Sequence, residues 1–261
     1  MANCTPVASP MDPNIKLQKL PAGETHPEVQ RVYQSMVGGL MYAAIITRPD
    51  IAYPVQTLSQ FSTNPGPSHL TAVKRVYRYL RGTIDLGITY SAASNTTVGM
   101  HADFSDLSVF NDADWANSLD DRKSISGYVS MLAGGATTWS SKKQATVALS
   151  TMEAEYIALS HAARENLWLR SLFTELDLPP SSPTPIFVDN RGAIDFTFNA
   201  GYHARSKHID IRHHYIRDTV ASHEVSVHHC ASADNLADIF TKPLPRLQHE
   251  EQVRKLGMTR V

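Results

Sequence analysis

The sequence offers one set of side chains suited to chemistry, four acidic residues at separated positions: Asp112, Glu155, Asp189 and Asp238. Each is predicted to stand at the end of a strand or near the start of a helix. In an α/β fold these positions meet at the carboxyl edge of the sheet, where ligands bind. Carboxylates that converge raise one another's pKa, and divalent cations are the usual remedy. Hard oxygen ligands suit Mg²⁺ or Mn²⁺, and two such ions about 3.5–4 Å apart act on phosphodiesters.

Each candidate has an acidic neighbour, and local patterns choose between them. Ser150 and Glu153 form a capping box of the Ser-x-x-Glu type, which predicts that the carboxylate of Glu153 reaches back to the amide of Ser150. Glu155 lies about 200° further around that helix and is therefore the predicted ligand. Asp112 and Asp114 share one face of a strand. Asp112 is the first choice because it lies nearer to the strand.

The order of predicted elements from residue 107 onward is βββαβααβα. Strands are predicted over 107–115, 124–132, 136–141, 186–188 and 225–229, and helices over 151–176, 192–199 and 209–222. A last helix is predicted to begin near Asp234, which acts as its cap and leaves Asp238 as the ligand that opens it. The predicted fold class is α/β, a five-stranded mixed sheet flanked by helices.

Residues 28–92 show a different, mostly helical pattern and are interpreted as a small separate unit. Two apolar stripes support it, one formed by Val32, Met36, Leu40 and Met41 and one by Ile51, Val55, Leu58 and Phe61. Residues 1–27 carry five prolines and are interpreted as a disordered tail or linker. The remaining boundaries are a linker over 93–106, the α/β domain over 107–245 and a C-terminal tail over 246–261.

The composition limits the classes of protein. The chain has 261 residues, 42% hydrophobic and 19% charged, with a net charge of −1, which is typical of a soluble globular protein and gives no global positive field. Its two cysteines form no Cys-x-x-Cys motif, so a reducing intracellular setting is expected. The near-apolar run over 36–46 is too short to span a bilayer. Histidines cluster over 203–214 without the spacing of a zinc site.

Seven runs of sequence resemble the ribonuclease H domain of copia-type retrotransposon Pol polyproteins: DADWAN (112–117), DRKSISGY (121–128), WSSKKQ (139–144), ALSTMEAEYIA (148–158), VDN (188–190), SKHIDIRHHYIR (206–217) and LADIFTKPL (236–244). Three upstream runs resemble the connector between reverse transcriptase and ribonuclease H in the same elements: GLMY (39–42), TRPDIA (47–52) and RYLRGT (78–83). The resemblance covers nearly everything from residue 28 onward. The Tyr-x-Asp-Asp motif of the polymerase does not occur in this sequence, so no polymerase activity is expected from this chain.

The resemblance implies a ribonuclease H-like fold and hydrolysis of the RNA strand of an RNA–DNA hybrid by two Mg²⁺ or Mn²⁺ ions. It gives the family's metal-ligand and catalytic positions to Asp112, Glu155, Asp189 and Asp238. The implied partners are the hybrid and the polymerase part of the same polyprotein, with no membrane, in cytoplasmic virus-like particles and the nucleus. Contacts to the hybrid backbone are predicted for the basic side chains Lys142, Lys143, Arg205 and Lys207, and a polar contact to the nucleic acid for Asn190.

Two other functions stay open at this point. A catalytically silent remnant of the polyprotein would bind nucleic acid without cleaving it, although the intact acids argue against decay of the site. A different nuclease on the same scaffold would cut duplex DNA, but the placement of Glu155 and Asp238 on the first and last helices favours ribonuclease H. His228 and His229 lie near a loop that carries a histidine in some cellular ribonucleases H. Their alternation predicts strand positions rather than a catalytic role.

Overall fold

The structure, a computed structural model, describes residues 3–91, 107–198 and 207–261, apart from the side chains at 207–211 and 213. Its first part is helical and consists of α1 (Pro27–Ile46), a 3-10 turn (Pro49–Ile51), α2 (Ala52–Ser59) and α3 (Pro67–Gly82). A proline begins α1, the 3-10 turn and α3, where its missing amide costs no helical hydrogen bond. The short strand β1 (Leu86–Ile88) follows.

The later part alternates strands and helices in nearly the predicted order. The strands are β2 (Ser108–Asp114), β3 (Ile125–Leu132), β4 (Gly135–Lys143), β5 (Thr184–Val188), β6 (Val225–His229) and β7 (Met258–Arg260). The helices are α4 (Thr151–Glu175), α5 (Arg191–Phe198), α6 (Lys207–Ala221) and α7 (Arg246–Lys255).

The predicted last helix is corrected by the structure. The chain forms two 3-10 turns, Ser232–Asp234 and Leu236–Phe240, before α7 begins at Arg246. Pro243 and Pro245 lie between the turns and α7. A continuous helix cannot pass through two prolines, because each removes a backbone donor and clashes with the preceding turn. Asp238 therefore lies within a short turn instead of opening a helix.

Five strands pair in the order β4-β3-β2-β5-β6. The β2, β3 and β4 strands are antiparallel neighbours, whereas β5 runs parallel to β2 and β6 parallel to β5. Because β2 and β5 run in the same direction, their carboxyl ends lie at the same edge of the sheet. The strand order and directions confirm the predicted α/β fold with a five-stranded mixed sheet of the ribonuclease H type.

Apolar layers cover both faces of this sheet. On one face α4, α5 and α6 pack over β2, β5 and β6, around buried side chains such as Val109 and Leu159. On the other face the Leu236–Phe240 turn packs against β2 and β3, and α7 packs on this turn, around buried side chains such as Val129. The sheet is thus held between two apolar cores.

The helical segment is joined to the sheet by direct contacts. The indole Nε1 of Trp139 in β4 donates a hydrogen bond to the carbonyl oxygen of Ala44 in α1, at 2.7 Å. Ile125, at the start of β3, is buried in the core of the helical segment. Strand β1 pairs antiparallel with β7, so the two strands join the helical segment to the end of the chain. The predicted C-terminal tail over 246–261 is thereby corrected to α7 and β7.

The predicted disordered tail is also corrected for the residues that the structure describes. Residues 3–26 have no regular secondary structure but lie against the helical segment. The Nε of Arg78 donates to the carbonyl oxygen of Thr5 at 2.7 Å. The backbone amide of Lys19 donates to the Oδ1 of Asp120 at 3.1 Å. Met11 is buried in the same core as α1 and α2.

The apolar faces of the first helices were predicted with unequal success. The stripe around α2 is buried as predicted, at Ile51, Val55, Leu58 and Phe61. In α1 the buried face is instead formed by Tyr33, Val37, Leu40 and Ala44. Val32 and Met41, which were expected to be buried, are 52% and 41% exposed.

Within the three described ranges, no helix combines the length and hydropathy needed to cross a membrane.

Candidate active site

Three of the four predicted carboxylates meet at one edge of the sheet. One carboxylate oxygen each from Asp112, Glu155 and Asp189 lies within 4.8 Å of the others. Asp112 belongs to β2, Asp189 directly follows β5, and Glu155 lies in the second turn of α4. The parallel pairing of β2 with β5 brings the two aspartates side by side, and the packing of α4 on β2 adds the glutamate.

The beginning of α4 separates the two glutamates, as predicted. The Oγ of Ser150 accepts a hydrogen bond from the amide of Glu153 at 3.1 Å. The Oε2 of Glu153 accepts from the amide of Leu149 at 2.8 Å, one residue further back than predicted. Glu155 points to β2, where its Oε1 accepts from the amide of Ala113 at 3.2 Å. The structure therefore places Glu155 in the cluster and Glu153 in the cap.

Asp238 reaches the same edge from the C-terminal 3-10 turn. Asn235 caps this turn with its side-chain oxygen, and its Nδ2 donates to the carbonyl oxygen of Asn111 in β2 at 2.9 Å. Asp238 is 3% exposed. Its Oδ1 lies 2.7 Å from the Nζ of Lys242, which in turn lies 3.8 Å from the Oδ2 of Asp112. The lysine ammonium thus contacts both the fourth carboxylate and Asp112.

Burial and the charge of neighbouring carboxylates raise the pKa values of several carboxyl groups at this edge, as Asp238, Glu155 and Asp114 show. Burial, and then the charge of Asp112, raises the pKa of Asp238 to about 7. Burial also raises the pKa of Glu155 well above its usual value, and the charges of Asp112 and Asp189 raise it further. Asp114, next along β2, has a pKa of about 6 for the same two reasons, burial and the charge of Asp112. Such a cluster binds protons or cations in preference to remaining fully ionised.

The donor set fits a hard divalent cation. Every group in the cluster offers carboxylate oxygens, the ligands that Mg²⁺ and Mn²⁺ prefer. The Oε2 of Glu155 is buried and has no hydrogen-bond partner among the described residues. An unsatisfied buried polar atom is costly unless a further partner, such as an ion, completes it. We conclude that the residues present at this edge are suited to hold a divalent metal.

Comparison with known proteins connects this site to a family. The chain is 40% identical over 262 residues to the retrovirus-related Pol polyprotein from transposon TNT 1-94 of Nicotiana tabacum, covering 99% of this chain and 19% of that protein. It is also 40% identical over 261 residues to the corresponding polyprotein from transposon RE1 of Arabidopsis thaliana, covering 100% of this chain and 17% of that protein. The chain belongs to the retrovirus-related Pol polyprotein family. It spans less than a fifth of the length of these relatives.

Comparisons with protein-family models and with solved structures do not extend this family assignment. No protein-family model matches the chain. Among solved structures, the N-terminal ribonuclease H domain of rv2228c from Mycobacterium tuberculosis aligns at a TM-score of 0.40 with 9% identity, covering 57% of this chain and 96% of that chain. The fold assignment for this Pol-family chain therefore rests on its own strand order and directions.

The residues of this Pol-family chain that were predicted to contact nucleic acid differ in their exposure and in their partners within the protein. Lys142 is exposed on β4. Lys143, its neighbour, is engaged within the protein, with its Nζ 2.8 Å from the Oδ1 of Asp121 and 3.0 Å from the Oε1 of Gln60. Asn190 uses its Oδ1 to accept a hydrogen bond within the first turn of α5.

Two of the predicted contacts cannot be placed. Arg205 lies outside the described residues, and only the backbone of Lys207 is described. Both therefore stay predictions from the sequence.

Two residues of the site were missed by reasoning from the sequence. The hydroxyl of Thr241 donates a short hydrogen bond to the Oδ2 of Asp112. Lys242 contacts the same oxygen and Asp238. Both belong to the LADIFTKPL run, and Lys242 follows Asp238 by four positions, a spacing at which charged side chains meet on a helical turn. That spacing is the signal from which the ion pair was predictable.

Proposed function

We propose that this chain is a ribonuclease H that hydrolyses the RNA strand of RNA–DNA hybrids. In this proposal Asp112, Glu155, Asp189 and Asp238 together hold two Mg²⁺ or Mn²⁺ ions. The observation that carries it is the convergence of three carboxylates within 4.8 Å at the carboxyl edge of the sheet, with Asp238 linked to them through a lysine. Membership of the Pol polyprotein family supports the nuclease class.

The residues of the site have distinct tasks in this proposal. Bound at the carboxylates, divalent ions supply Lewis-acid polarisation and neutralise charge at the scissile phosphodiester. The chain itself holds the oxygen donors in place: β2 fixes Asp112, and the amide of Ala113 fixes Glu155 by a hydrogen bond at 3.2 Å. Burial of Asp112, Glu155 and Asp238 excludes water from their carboxylates, which strengthens every charge interaction there.

The proposed substrate is recognised by its backbone and sugars. A protein distinguishes RNA from DNA at a given position through the 2′-hydroxyl, which an A-form duplex displays in its wide minor groove. Phosphate contacts are proposed for exposed Lys142 on β4, for Arg205 and Lys207, and less directly for Lys143, whose ammonium already has protein partners. The amide nitrogen of Asn190 is proposed as a polar contact beside Asp189. The polymerase part of a longer polyprotein is the proposed source of the hybrid.

The test is cleavage of a labelled RNA–DNA hybrid with Mg²⁺ by the full chain. Asp189→Asn is expected to lower the rate by at least about a hundredfold, since loss of groups beside metal ligands already costs 10–100-fold. Asp195→Asn, an identical charge change at an exposed position of α5, is the matched control and is expected to cleave normally. Duplex DNA and duplex RNA of the same sequence are expected to stay intact.

Three results would overturn the proposal. Equal cleavage by the wild type and D189N would remove the metal site from the mechanism. Hybrid binding by the wild type without any cleavage would favour a silent remnant that only binds nucleic acid. Cleavage of duplex DNA at a rate equal to that of the hybrid would favour a nuclease of different specificity on this scaffold.

A further inference from the structure

Lys242 lies within the carboxylate site. Its Nζ is 2.7 Å from the Oδ1 of Asp238 and 3.8 Å from the Oδ2 of Asp112. The preceding residue, Thr241, donates its hydroxyl to the same oxygen of Asp112. The function proposed above uses the carboxylates and gives this ammonium group no task.

The ammonium group of Lys242 lies next to two buried carboxylates. Asp112 and Asp238 are each 3% exposed, and neither has another cationic side chain within ion-pair distance in the described ranges. A lysine ammonium is a compact point charge with three donors and no acceptor. Between two buried carboxylates it supplies the positive charge that a metal ion supplies in an occupied site. The pair and a metal ion therefore compete for the same oxygens.

The lysine is also free to leave. Its side chain is 37% exposed and sits on a flexible four-carbon stem at the end of a turn. A different buried ion pair, between Arg48 and Asp50, is closed to solvent, with side chains that are 9% and 0% exposed. An exposed stem allows the ammonium of Lys242 to exchange its carboxylate partners for water. The contact is thus suited to being made and broken.

We propose that Lys242 is an internal counter-cation of this site, which neutralises Asp112 and Asp238 when no divalent ion is bound between them and is displaced toward solvent when one binds. The inference rests on the ligand set of the proposed function. It makes Lys242 a positioning residue with opposite effects on two states. Its charge stabilises the metal-free protein and weakens the binding of the metal.

The test measures metal binding directly, without nucleic acid. The full chain is titrated with Mn²⁺, free Mn²⁺ is followed by electron paramagnetic resonance, and the Tm of the metal-free protein is recorded. Lys242→Gln is expected to bind Mn²⁺ about tenfold more tightly, the scale of effects from groups next to ligands, and to melt at a lower temperature without metal. Lys242→Arg, which keeps the charge, is expected to remain near the wild type. Lys74→Gln, an equal charge change at an exposed position of α3, is the control.

The outcomes separate this inference from the proposed function. If the wild type binds Mn²⁺ and D189N does not, but K242Q binds with unchanged affinity, the counter-cation role is overturned and the metal site stands. If D189N and the wild type bind Mn²⁺ equally, the ligand set fails and both proposals fail with it. Should K242Q alone not fold, the double variant K242Q/D238N removes the buried carboxylate together with its counter-cation and is expected to restore folding without metal. Failure of the double variant to fold, with D238N folding normally, would overturn the inference.

Discussion

Replacing Asp50 with asparagine is expected to destabilise the whole chain, although Asp50 lies outside the carboxylate site. Asp50 is fully buried in the Pro49–Ile51 turn. Its carboxylate accepts hydrogen bonds from the guanidinium of Arg48 at 2.9 and 2.7 Å and from the hydroxyl of Tyr79 at 2.6 Å. The D50N substitution keeps the size of the side chain and removes the charge. It leaves a buried guanidinium without its counter-ion.

The size of the expected loss in unfolding free energy follows from the burial of Arg48, the partner of Asp50. The side chain of Arg48 is 9% exposed, so water does not compensate the lost charge. Removing one partner of a buried ion pair costs about 3–5 kcal/mol. Arg48 keeps two hydrogen bonds to Thr83, to its carbonyl oxygen at 2.9 Å and its hydroxyl at 2.7 Å. We therefore expect the lower end of that range, about 3 kcal/mol, a large part of the 5–15 kcal/mol that is typical of a whole protein.

The assay is equilibrium unfolding in urea, followed by tryptophan fluorescence. Trp139 reports on the junction because its indole bonds to the carbonyl of Ala44 in α1. R48M and the double variant R48M/D50N complete a double-mutant cycle, in which the double variant is expected to be more stable than D50N alone. D85N is the matched control, because Asp85 pairs with Arg260 on the surface and its loss is expected to matter far less.

Two results would refute this reasoning. A cost of D50N below about 1 kcal/mol would mean that the guanidinium finds water or another partner, against its observed burial. Separate unfolding transitions for the helical segment and the sheet would mean that the two parts do not share one core. The second result would return residues 28–92 to the small helical unit that the sequence predicted.

Three further predictions concern the site and its surroundings. Gly127→Ala is expected to cost about 1–3 kcal/mol in urea unfolding and to slow hybrid cleavage, because a Cβ there would lie 2.7 Å from the Cβ of Phe240; Gly38→Ala, with nothing within 4 Å, is the control. Burial lowers the pKa of His249 from 6.5 to about 4, so the unfolded state takes up a proton first and the protein is expected to lose up to about 3 kcal/mol as pH falls from 6.5 to 4. Mg²⁺ is expected to raise the Tm of the wild type and not of D189N, because an ion that binds only the folded state stabilises it.

Each of these predictions has a contradicting outcome. Unchanged stability in G127A would mean that the C-terminal turn moves away from β3 at no cost. His249→Gln is expected to flatten the acid side of the stability profile, and a constant difference from the wild type between pH 4 and 6.5 would contradict the pKa shift. An equal rise in Tm for D189N and the wild type would place the bound Mg²⁺ elsewhere.

The sheet and three of its carboxylates were predictable because local pattern decides them. An apolar run that ends in acidic residues predicts β2, and period-2 alternation predicts β3. A strand end or helix start predicts the positions of Asp112, Glu155 and Asp189. The capping box distinguishes Glu153 from Glu155, since residues two positions apart on a helix point to nearly opposite sides of it. Parallel pairing of β2 and β5 then brings these local choices to one edge.

The rest depends on partners that are distant along the sequence. The sequence predicts a nucleic-acid contact for Lys143 from its residue type alone. No local pattern shows that Lys143 pairs with Asp121, or that it also contacts Gln60, which lies more than 80 residues away along the chain. The last strand, β7, forms because it pairs with β1, with Arg260 opposite Leu86. No local pattern of the sequence reveals this pairing. The stripe of α1 was partly wrong for a related reason: Val32 and Tyr33 both continue an apolar series, and the packing of α2 and α3 on α1 decides between them.

The position of Asp238 shows how these distant contacts act on the site. The turn that carries it, Leu236–Phe240, packs against the Pro49–Ile51 turn of the helical segment. The hydroxyl of Tyr79 in α3 bonds to Asp50 at 2.6 Å and lies 3.2 Å from the Nε2 of His249 in α7. A chain that began at residue 107 would keep the contacts of the Leu236–Phe240 turn with β2, β3 and α7 but lose its contacts with the Pro49–Ile51 turn and α2. We therefore expect the helical segment to contribute to the position of Asp238 in addition to the sheet.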